Sequence, residues 1–334
     1  MRITPRYGAL VGLCTLLMAP NPSLAAARNA GRVSDVSGRL AVHGIDEDAP
    51  SYAARNTVIR EGDTFWTDER GRAEIELPGG GWLRLAEDTK VELRSLDSGG
   101  EFRVLTGSVW YDGRRGTRSA VWIRVPEADC EAPPGAVVRI DLSADNRARF
   151  SVFRAGLRVE LETGQRVALR PHQRVYLDAG RVSEGPEPFD YDDLDDFDRY
   201  HRTRVSYYDH RPQHPYLDRD LVGSRDLEGY GSWTSYRGSR YWRPRTYPGW
   251  RPYSHGYWSY DPGCGYSWID DEPWGYTTSH YGRWVYRPAI GGWCWAPGYV
   301  LTVLHNSATA AVPLVPGGSR APSVQGCDSQ AIGP

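Results

Sequence analysis

The sequence lacks the local motifs that mark common enzymes and metal proteins. It has no Gly-x-Ser-x-Gly elbow, no phosphate-cradling glycine loop, no His-Glu-x-x-His and no Cys-x-x-Cys. Each of these motifs serves one kind of chemistry: acyl transfer, phosphoryl transfer, zinc hydrolysis, or zinc binding and thiol redox work. We therefore predict a non-enzymatic protein with no cofactor and no metal site.

Long apolar runs are missing after the first thirty residues. The run Ala9 to Ala19, with two arginines before it and small residues after it, is typical of a secretory signal peptide. We predict a signal peptide over residues 1–27, with cleavage after Ala25 or Ala27. No later stretch reaches the roughly 20 uninterrupted apolar residues of a membrane-spanning helix. The mature chain is therefore expected to be periplasmic or secreted, without a transmembrane segment.

A large excess of either charge is absent as well. The chain has 334 residues and a formal net charge of −2, which becomes −4 when the two arginines of the leader are removed. A strongly basic balance is the usual footprint of a nucleic-acid binder, so we predict no nucleic-acid partner. The length leaves room for two domains.

Residues Gly31 to Val182 show one strand pattern after another. Residues Ala73 to Leu77 alternate apolar and acidic side chains, three glycines turn the chain, and Leu83 and Leu85 alternate again. Turn signals recur every eight to twelve residues or so, as in all-β sandwiches and barrels. The pattern predicts antiparallel strands, each with one apolar and one charged face.

Several motifs in this region resemble the FecR-like domain. They are, in chain order, GRVSDVSG (31–38), VIREGDT (58–64), GRAEIEL (71–77), GWLRL (81–85), FRVLTGSVW (102–110) and SVFRAG (151–156). The resemblance covers about residues 28–182, within a predicted domain of residues 28–183. It implies an antiparallel β-sandwich or β-solenoid domain, as in the extracytoplasmic module of iron-dicitrate-type signal transducers. Those transducers also carry an N-terminal sigma-regulating segment and a membrane helix. Because this chain shows neither, direct control of a sigma factor is not expected.

Residues 226–305 are built on an aromatic repeat. Gly-x-Trp ends at Trp233, Trp258 and Trp284, 25 and then 26 residues apart, and a second aromatic follows each. A fixed period of this size indicates stacked supersecondary units, and aromatics between glycine and proline favour strands joined by tight turns. We predict that each unit is a β-hairpin. The second aromatics are Trp242, Trp268 and Trp293 or Trp295.

The same region resembles an uncharacterised Trp/Tyr-rich domain that often follows FecR-like domains in exported bacterial proteins. The resemblance is carried by WGY (274–276), HYGRWVY (280–286) and GWCWAPG (292–298), and it implies no known activity. Residues 306–334, which are rich in small residues, proline and glycine, are expected to be loosely ordered.

The aromatic rings have two alternative roles. Few aliphatic residues lie between Trp233 and Gly298, so most rings are expected to form the core of the domain. The alternative is an exposed platform that stacks on sugar rings or contacts a protein. The candidate platform residues are Trp250, Tyr253, Trp258, Tyr260, Trp268, Trp274, Tyr281 and Trp284.

Four cysteines follow the leader. An even number permits two disulfides in an oxidising compartment. Cys264 and Cys294 fall at the far ends of neighbouring repeat units, so a cross-strand disulfide between them is predicted, with buried free thiols as the alternative. A pairing of Cys130 with Cys327 has weaker support.

Residues 184–225 form a connector that is first acidic and then rich in arginine. Six aspartates lie within residues 190–198, which fits either a calcium site or the first turn of a helix. Leu194, Phe197, His201 and Val205 fall at helical spacing, and the run lacks the glycine and spaced glutamate of a calcium loop. A short amphipathic helix is predicted.

Two histidine pairs and one carboxylate cluster are the remaining chemical candidates. Prolines oppose the helix that His210 and His214 would need to bind a metal together. His255 and His280 occupy near-equivalent places in two repeats, so structural hydrogen bonding is favoured for them. Asp270, Asp271 and Glu272 lie among tryptophans, as in many glycan-active sites, but a turn between hairpins also explains them.

These observations favour an exported, non-enzymatic binding or scaffolding protein of the bacterial cell envelope. Its partner would be a cell-envelope protein or polysaccharide. One alternative is a FecR-type extracytoplasmic signal-transduction component that acts through a separate membrane partner. The other is a glycan-processing hydrolase using Asp270, Asp271 or Glu272.

Overall fold

The computed structural model describes residues 30–97, 99–114, 117–190, 194–218, 220–261 and 265–298. The predicted signal peptide, the tail at 306–334, Cys264 and Cys327 lie outside these ranges. The first domain contains seventeen strands: β1 (Gly31–Ser37), β2 (Leu40–His43), β3 (Ser51–Tyr52), β4 (Val58–Ile59), β5 (Thr64–Thr67), β6 (Arg72–Glu76), β7 (Trp82–Leu85), β8 (Lys90–Ser95), β9 (Glu101–Asp112), β10 (Val121–Val125), β11 (Ala128–Ala132), β12 (Val137–Leu142), β13 (Ala148–Arg154), β14 (Leu157–Leu161), β15 (Arg166–Leu169), β16 (Gln173–Asp178) and β17 (Arg181–Pro188).

The seventeen strands form two sheets that share one strand. The first sheet has the order β4-β1-β6-β7-β9-β12-β13-β16-β17. The second has the order β3-β2-β5-β8-β9-β10-β11-β14-β15. One cluster of buried Val, Leu, Ile, Phe and Ala side chains fills the space between the sheets. The predicted all-β class is confirmed, and the domain is a β-sandwich.

Strand β9 passes from the second sheet to the first at Gly107. Its N-terminal half pairs with β8 and β10, and its C-terminal half pairs with β7 and β12. Gly107 has φ +88°, and a Cβ there would lie 2.5 Å from the Cα of Thr89. Only glycine combines that backbone conformation with so close an approach. The β9–β10 pairing is parallel, which departs from the antiparallel arrangement predicted for all strands.

A helix covers the outer face of the first sheet. Helix α1 spans Asp196–Asp209, and Asp195 begins it with a capping box in which Asp198 is the reciprocal partner. The predicted connector helix is therefore present. Its buried positions are Phe197, His201, Arg204 and Tyr208. Arg204 therefore packs against the sheet instead of facing solvent. The helical spacing predicted Val205 on the buried face, and this part of the prediction is wrong.

The aromatic domain consists of three hairpins and two short helices. Trp233 pairs with Trp242, Trp258 with Trp268, and Trp284 with Trp295, so each predicted unit is a hairpin with a cross-strand tryptophan pair. The elements are α2 (Asp226–Tyr230), β18 (Gly231–Tyr236), β19 (Ser239–Pro244), β20 (Gly256–Asp261), β21 (Gly265–Asp270), α3 (Gly275–His280), β22 (Arg283–Arg287), a 3-10 turn (Pro288–Ile290) and β23 (Gly292–Ala296).

Two of the hairpins join into one sheet of order β18-β19-β23-β22, while β20 and β21 form a separate two-stranded sheet. Trp242 pairs with Trp295 across the hairpin boundary. Four tryptophans, one from each strand, therefore line up across one face of the four-stranded sheet. Leu217 and Leu221 of the connector and Leu227 of α2 pack against this row, so the connector is part of the aromatic core.

Candidate functional site

The two domains meet across a buried cluster centred on Arg32. Its guanidinium donates to Glu76 at 2.8 Å, to Asn56 at 3.1 Å and to Asp226. Burial lowers the pKa of Arg32, but the carboxylates of Asp226 and Glu76 raise it well above its ordinary value. The N–H of Gly223 donates to Glu76 at 3.1 Å. Residues from β1, β6, α2 and the connector are therefore held by one ion-pair network.

A second buried network holds α1 on the sheet. Glu74 accepts from Arg84 at 2.7 Å and from Arg204 at 2.7 Å. Burial raises the pKa of Glu74, but the two guanidinium groups outweigh it and hold the pKa at about 2. Arg84 donates to Nδ1 of His201 at 3.1 Å, and burial followed by the charge of Arg84 lowers the pKa of that imidazole far below its usual value.

These two networks occupy the charged face that the strand pattern of β6 and β7 predicts. Glu74, Glu76 and Arg84 alternate with apolar residues, as expected, yet all three are buried. Alternation alone indicates which residues share a face, and the covering element decides whether that face meets water. The face is a structural interface between the domains.

The structure divides the eight candidate platform residues into three groups. Trp250, Trp268 and Trp274 are buried, and Tyr253, Tyr281 and Trp284 are half-buried. Two of the eight face solvent: Trp258 is 48% exposed and Tyr260 is 60% exposed.

The exposed rings lie on one face of the β20–β21 hairpin. Tyr260 pairs with Tyr266 next to the pair formed by Trp258 and Trp268, with ring centroids 5.2 Å and 5.4 Å apart. Tyr253 packs edge-on against Trp268 at 5.9 Å. Tyr266 is 69% exposed, although it was not among the candidates. We call Trp258, Tyr260 and Tyr266 the aromatic hairpin face.

The other face of the hairpin is anchored to helix α3. Ile269 is 2% exposed, and Ser267 bonds to Nε2 of His280 at 2.9 Å. Nδ1 of His280 donates to the carbonyl oxygen of Tyr276 at 2.8 Å, so Nε2 accepts from the serine hydroxyl. Burial lowers the pKa of this imidazole to about 4. His280 therefore forms structural hydrogen bonds, as the sequence predicted.

The three carboxylates among the tryptophans serve a turn and the domain interface. Asp270 accepts from Nε1 of Trp268 and from the N–H of Glu272, both at 3.0 Å. Burial raises the pKa of Asp270 to about 6. The carbonyl oxygens of Asp270 and Glu272 each accept from the amide of Asn56 at 2.8 Å, which docks the turn on the first domain. Asp271 is exposed.

The predicted Cys264–Cys294 disulfide is not seen. Cys294 is a buried free thiol whose Sγ lies 3.6 Å from the carbonyl oxygen of Gly292. It sits in β23 of the four-stranded sheet, whereas β20 and β21, the strands before and after Cys264 in the chain, form a separate sheet. Cys264 itself lies outside the described residues. Cys130 is also a buried free thiol. The two hairpins are not neighbours in one sheet, which removes the basis of the prediction.

Within the part of the chain that the structure describes, no three His, Cys, Asp or Glu side chains are grouped so as to hold a metal ion. No helix of that part is long and apolar enough to cross a membrane.

Comparison with protein families matches one stretch in each domain. The family model described as FecR protein matches residues 63–158. A family of unknown function, DUF6600, matches residues 224–315. Residues 63–158 are thus similar to FecR proteins and residues 224–315 to DUF6600. We call the β-sandwich the FecR domain and the aromatic domain the DUF6600 domain after these matches. The FecR match covers strands β5 to β13 and the first two residues of β14. The DUF6600 match begins just before α2 and covers all three hairpins.

Known proteins add little beyond these two domains. No curated protein matches the chain. Two crystal structures from Parabacteroides distasonis ATCC 8503, described as anti-sigma factors, match at 14% identity with a TM-score of 0.32. The match covers 36% of this chain and 57% of the solved chains. At that TM-score, we draw no conclusion from the likeness.

Sequence reasoning missed one more feature of the DUF6600 domain. Its arginines from residue 237 onwards are exposed to solvent, whereas most of its described acids are buried or half-buried. No short motif marks this, because the seven arginines are scattered over the strands and turns from residue 237 to residue 287. The only signal was the scarcity of acids on the four strands of the larger sheet.

Proposed function

We propose that this protein is a FecR-type component of extracytoplasmic signal transduction that acts by binding a separate protein partner. The observation that carries the proposal is the FecR match over residues 63–158. The two buried clusters of charged side chains, around Arg32 and Glu74, form ion pairs that hold structural elements together. A regulator of this type works through contact with another protein, so its function requires a binding surface in place of a catalytic cleft.

The aromatic hairpin face supports a binding role. Aromatic side chains of this size carry about 150–250 Å² each, so three of them at half to two-thirds exposure present roughly 300 Å². Apolar patches of that extent are among the largest on a typical monomer and are often functional. Tyr and Trp are also enriched in the energetic centres of protein interfaces.

The composition of the hairpin favours a protein partner over a charged polymer. Residues 256–270 contain no Lys, Arg, Glu or His, and their only acids are Asp261 and the buried Asp270. An uncharged aromatic centre of this kind matches the core of a protein interface, where charged residues are depleted.

The proposal is tested by crosslinking in the source organism, with a photoreactive phenylalanine analogue at position 260 and, as a control, at position 52. Tyr52 is 70% exposed on the FecR domain. We expect position 260 to give one discrete crosslinked membrane protein that position 52 does not give. Deleting the gene should change the transcript levels of a defined regulon.

Complementation then connects the surface to the function. W258S/Y260S/Y266S should fail to restore the transcript profile, whereas Y52S/W122S/Y216S, which removes one tryptophan and two tyrosines exposed elsewhere, should restore it. An unchanged transcript profile in the deletion strain would reject the signalling role. Equal complementation by both triple variants would reject the hairpin face as the contact surface.

A further inference from the structure

In the DUF6600 domain most described acids are buried or half-buried, whereas most arginines are exposed. Of its acids with described side chains, Asp226 and Asp270 are buried, Glu228 and Glu272 are half-buried, and only Asp271 is exposed. Asp226 pairs with Arg32 of the FecR domain, and Glu228 accepts from Nε1 of Trp233 at 3.2 Å. Of the eight arginines in residues 224–315, Arg225 is half-buried and the other seven are exposed: Arg237, Arg240, Arg243, Arg245, Arg251, Arg283 and Arg287.

Three of these arginines share the solvent face of the four-stranded sheet. The tryptophan row occupies one face, so residues at the alternate positions point away from it. Arg243 is opposite Ser232 on β18, Arg283 is opposite Ala296, and Arg287 is opposite Gly292. From ordinary strand spacings, their Cα atoms form a triangle with sides of about 12 to 14 Å. We call this surface the arginine face.

No acid of the described residues forms an ion pair with the arginine face. The strands β18, β19, β22 and β23 contain no Asp or Glu. Among the ion pairs of the described residues, none involves Arg243, Arg283 or Arg287, in contrast to arginines of the FecR domain such as Arg124, Arg149 and Arg158. Arg243 donates once, to the carbonyl oxygen of Ile290 at 3.3 Å, which leaves most of its five N–H groups available.

Apart from Val285, the remaining residues of the face are small, polar or aromatic. Ser232 and Thr234 of β18 offer hydroxyl groups, and the half-buried ring of Tyr241 lies opposite Thr234. Val285 is the one branched aliphatic side chain of the face, and it is half-buried. Such a surface has no large apolar side chain to insert into a lipid bilayer, as an interfacial membrane anchor requires.

We propose that the arginine face binds an acidic polysaccharide whose sugar rings carry carboxylates. Each guanidinium binds a carboxylate through paired, charge-assisted hydrogen bonds. The hydroxyl groups of Ser232 and Thr234 bond to sugar hydroxyls, and the ring of Tyr241 packs on a sugar face. The spacing of the three arginines selects a polymer with repeated charges over a single small anion.

This inference goes beyond the proposed function and does not rest on it. The proposed partner protein contacts the aromatic hairpin face, whereas the polysaccharide contacts a different sheet. A polysaccharide site can fail while signalling is retained, and signalling can fail while polysaccharide binding is retained.

The test is binding of the purified chain, lacking residues 1–27, to polygalacturonate immobilised on a sensor surface. We expect binding that weakens as salt rises, and we expect none to neutral dextran. R243Q/R283Q/R287Q should bind about tenfold or more weakly. The matched control R147Q/R158Q/R166Q removes three exposed arginines from the FecR domain, each from a surface ion pair, and should bind as the wild type does.

Other results would overturn the proposal in identifiable ways. Equal loss in the two triple variants would show that overall charge, and not the arginine face, drives binding. Equally tight binding to polyglutamate would remove the role of the sugar ring, and tighter binding to phosphatidylglycerol vesicles would assign the face to a membrane. If the triple variant loses its native circular dichroism spectrum, R283Q/R287Q, which keeps Arg243 and its bond to Ile290, must show a loss in the same direction.

Discussion

Individual tryptophans of the DUF6600 domain have different environments although their sequence contexts repeat. Trp242 is fully buried, and its Nε1 donates to the carbonyl oxygen of Leu227 at 3.0 Å. Trp258 holds the position of Trp233 in the next hairpin, and it is 48% exposed whereas Trp233 is half-buried. The difference arises because Trp242 lies inside a four-stranded sheet covered by the connector, whereas Trp258 lies on a two-stranded sheet with one open face.

Trp242→Ala should destabilise the protein, and Trp258→Ala should not. Replacing a buried aromatic by alanine typically costs about 3–5 kcal/mol, because transfer energy is lost and a cavity remains. A substitution at the exposed position should change the free energy of unfolding by about 0.5 kcal/mol or less. Urea unfolding followed by far-ultraviolet circular dichroism measures both. Equal effects would contradict the assignment of Trp242 to the core.

His280 should make the protein less stable in mild acid. Its pKa is about 4 in the folded chain against about 6.5 for an unperturbed imidazole. The unfolded chain therefore binds the proton more tightly, and stability is lost as the pH falls from 6.5 towards 4. The lost contribution amounts to roughly 2–3 kcal/mol at pH 4.

The variant His280→Gln separates this contribution from that of other groups. Asp270 has a raised pKa of about 6, so it acts in the opposite direction over part of the same range. The free energy of unfolding of the variant should therefore fall less between pH 7 and pH 4 than that of the wild type. Parallel pH profiles would show that His280 is not the titrating group.

At the scale of elements, helix α1 is held on the sheet both by ion pairs and by aromatic packing, in which Phe197 and Tyr208 contact Trp110 and Trp82. Its buried face includes His201 and Arg204 beside Phe197 and Tyr208, and the sheet beneath it contributes Glu74 and Arg84. Tyr208 also donates to Glu74 at 3.0 Å. The helix is thus specific for this part of the sheet, because its buried donors find their acceptors there and would be left unsatisfied elsewhere.

Glu74→Gln should loosen α1. The variant removes the carboxylate shared by Arg84 and Arg204 and leaves their charges less compensated, a change that commonly costs about 3–5 kcal/mol in buried pairs. Hydrogen exchange of the α1 amides should accelerate while the strands of the second sheet stay protected. Glu92→Gln is the control, since Glu92 pairs with the half-exposed Arg94 and should have little effect. Unchanged exchange in α1 would contradict the role of Glu74.

The low pKa of Glu74 also predicts the direction in which stability changes with pH. A carboxyl with a pKa of about 2 in the folded state stabilises the fold above the unfolded value of about 4.3. That contribution is lost as the pH falls from about 4.3 towards 2. The difference in stability between wild type and Glu74→Gln should therefore shrink below pH 4.

At the scale of the whole molecule, the two domains are expected to unfold together. Arg32 joins Glu76 of the FecR domain to Asp226 of the DUF6600 domain, and Asn56 binds the turn that follows β21. Thr277 of α3 donates to the carbonyl oxygen of Val222 at 3.1 Å, which ties the connector in as well. These contacts are buried and extend over several elements.

Arg32→Gln should uncouple the domains. It leaves Glu76 and Asp226 buried beside each other without their shared cation. We expect one calorimetric transition for the wild type and two for the variant, with the DUF6600 domain melting first because it has fewer aliphatic residues in its core. Two transitions in the wild type would contradict the expectation that the interface couples the domains. Arg55→Gln, which removes a partly exposed pair with Asp35, should keep a single transition.

Local sequence accounts for much of the architecture. The alternation of apolar and charged residues predicted the strands, since side chains on a strand point alternately to its two faces. The Gly-x-Trp repeat predicted three hairpins, and each forms with its tryptophans directly paired. The aspartates of residues 190–198 predicted the first turn of a helix, and α1 begins there, at Asp196. All these signals act over a few residues, so a single sequence carries them.

The exposure of each group was decided only by tertiary structure. Glu74 and Arg84 are buried because α1 returns across their face, and the aromatic hairpin face is exposed because no element of the described residues covers Trp258, Tyr260 and Tyr266. The DUF6600 surface became cationic because its acids turned inward, although the net charge of the chain is −2. Burial depends on contacts between segments up to 245 residues apart, as between Tyr276 and Gly31, and a local pattern does not specify which segments meet.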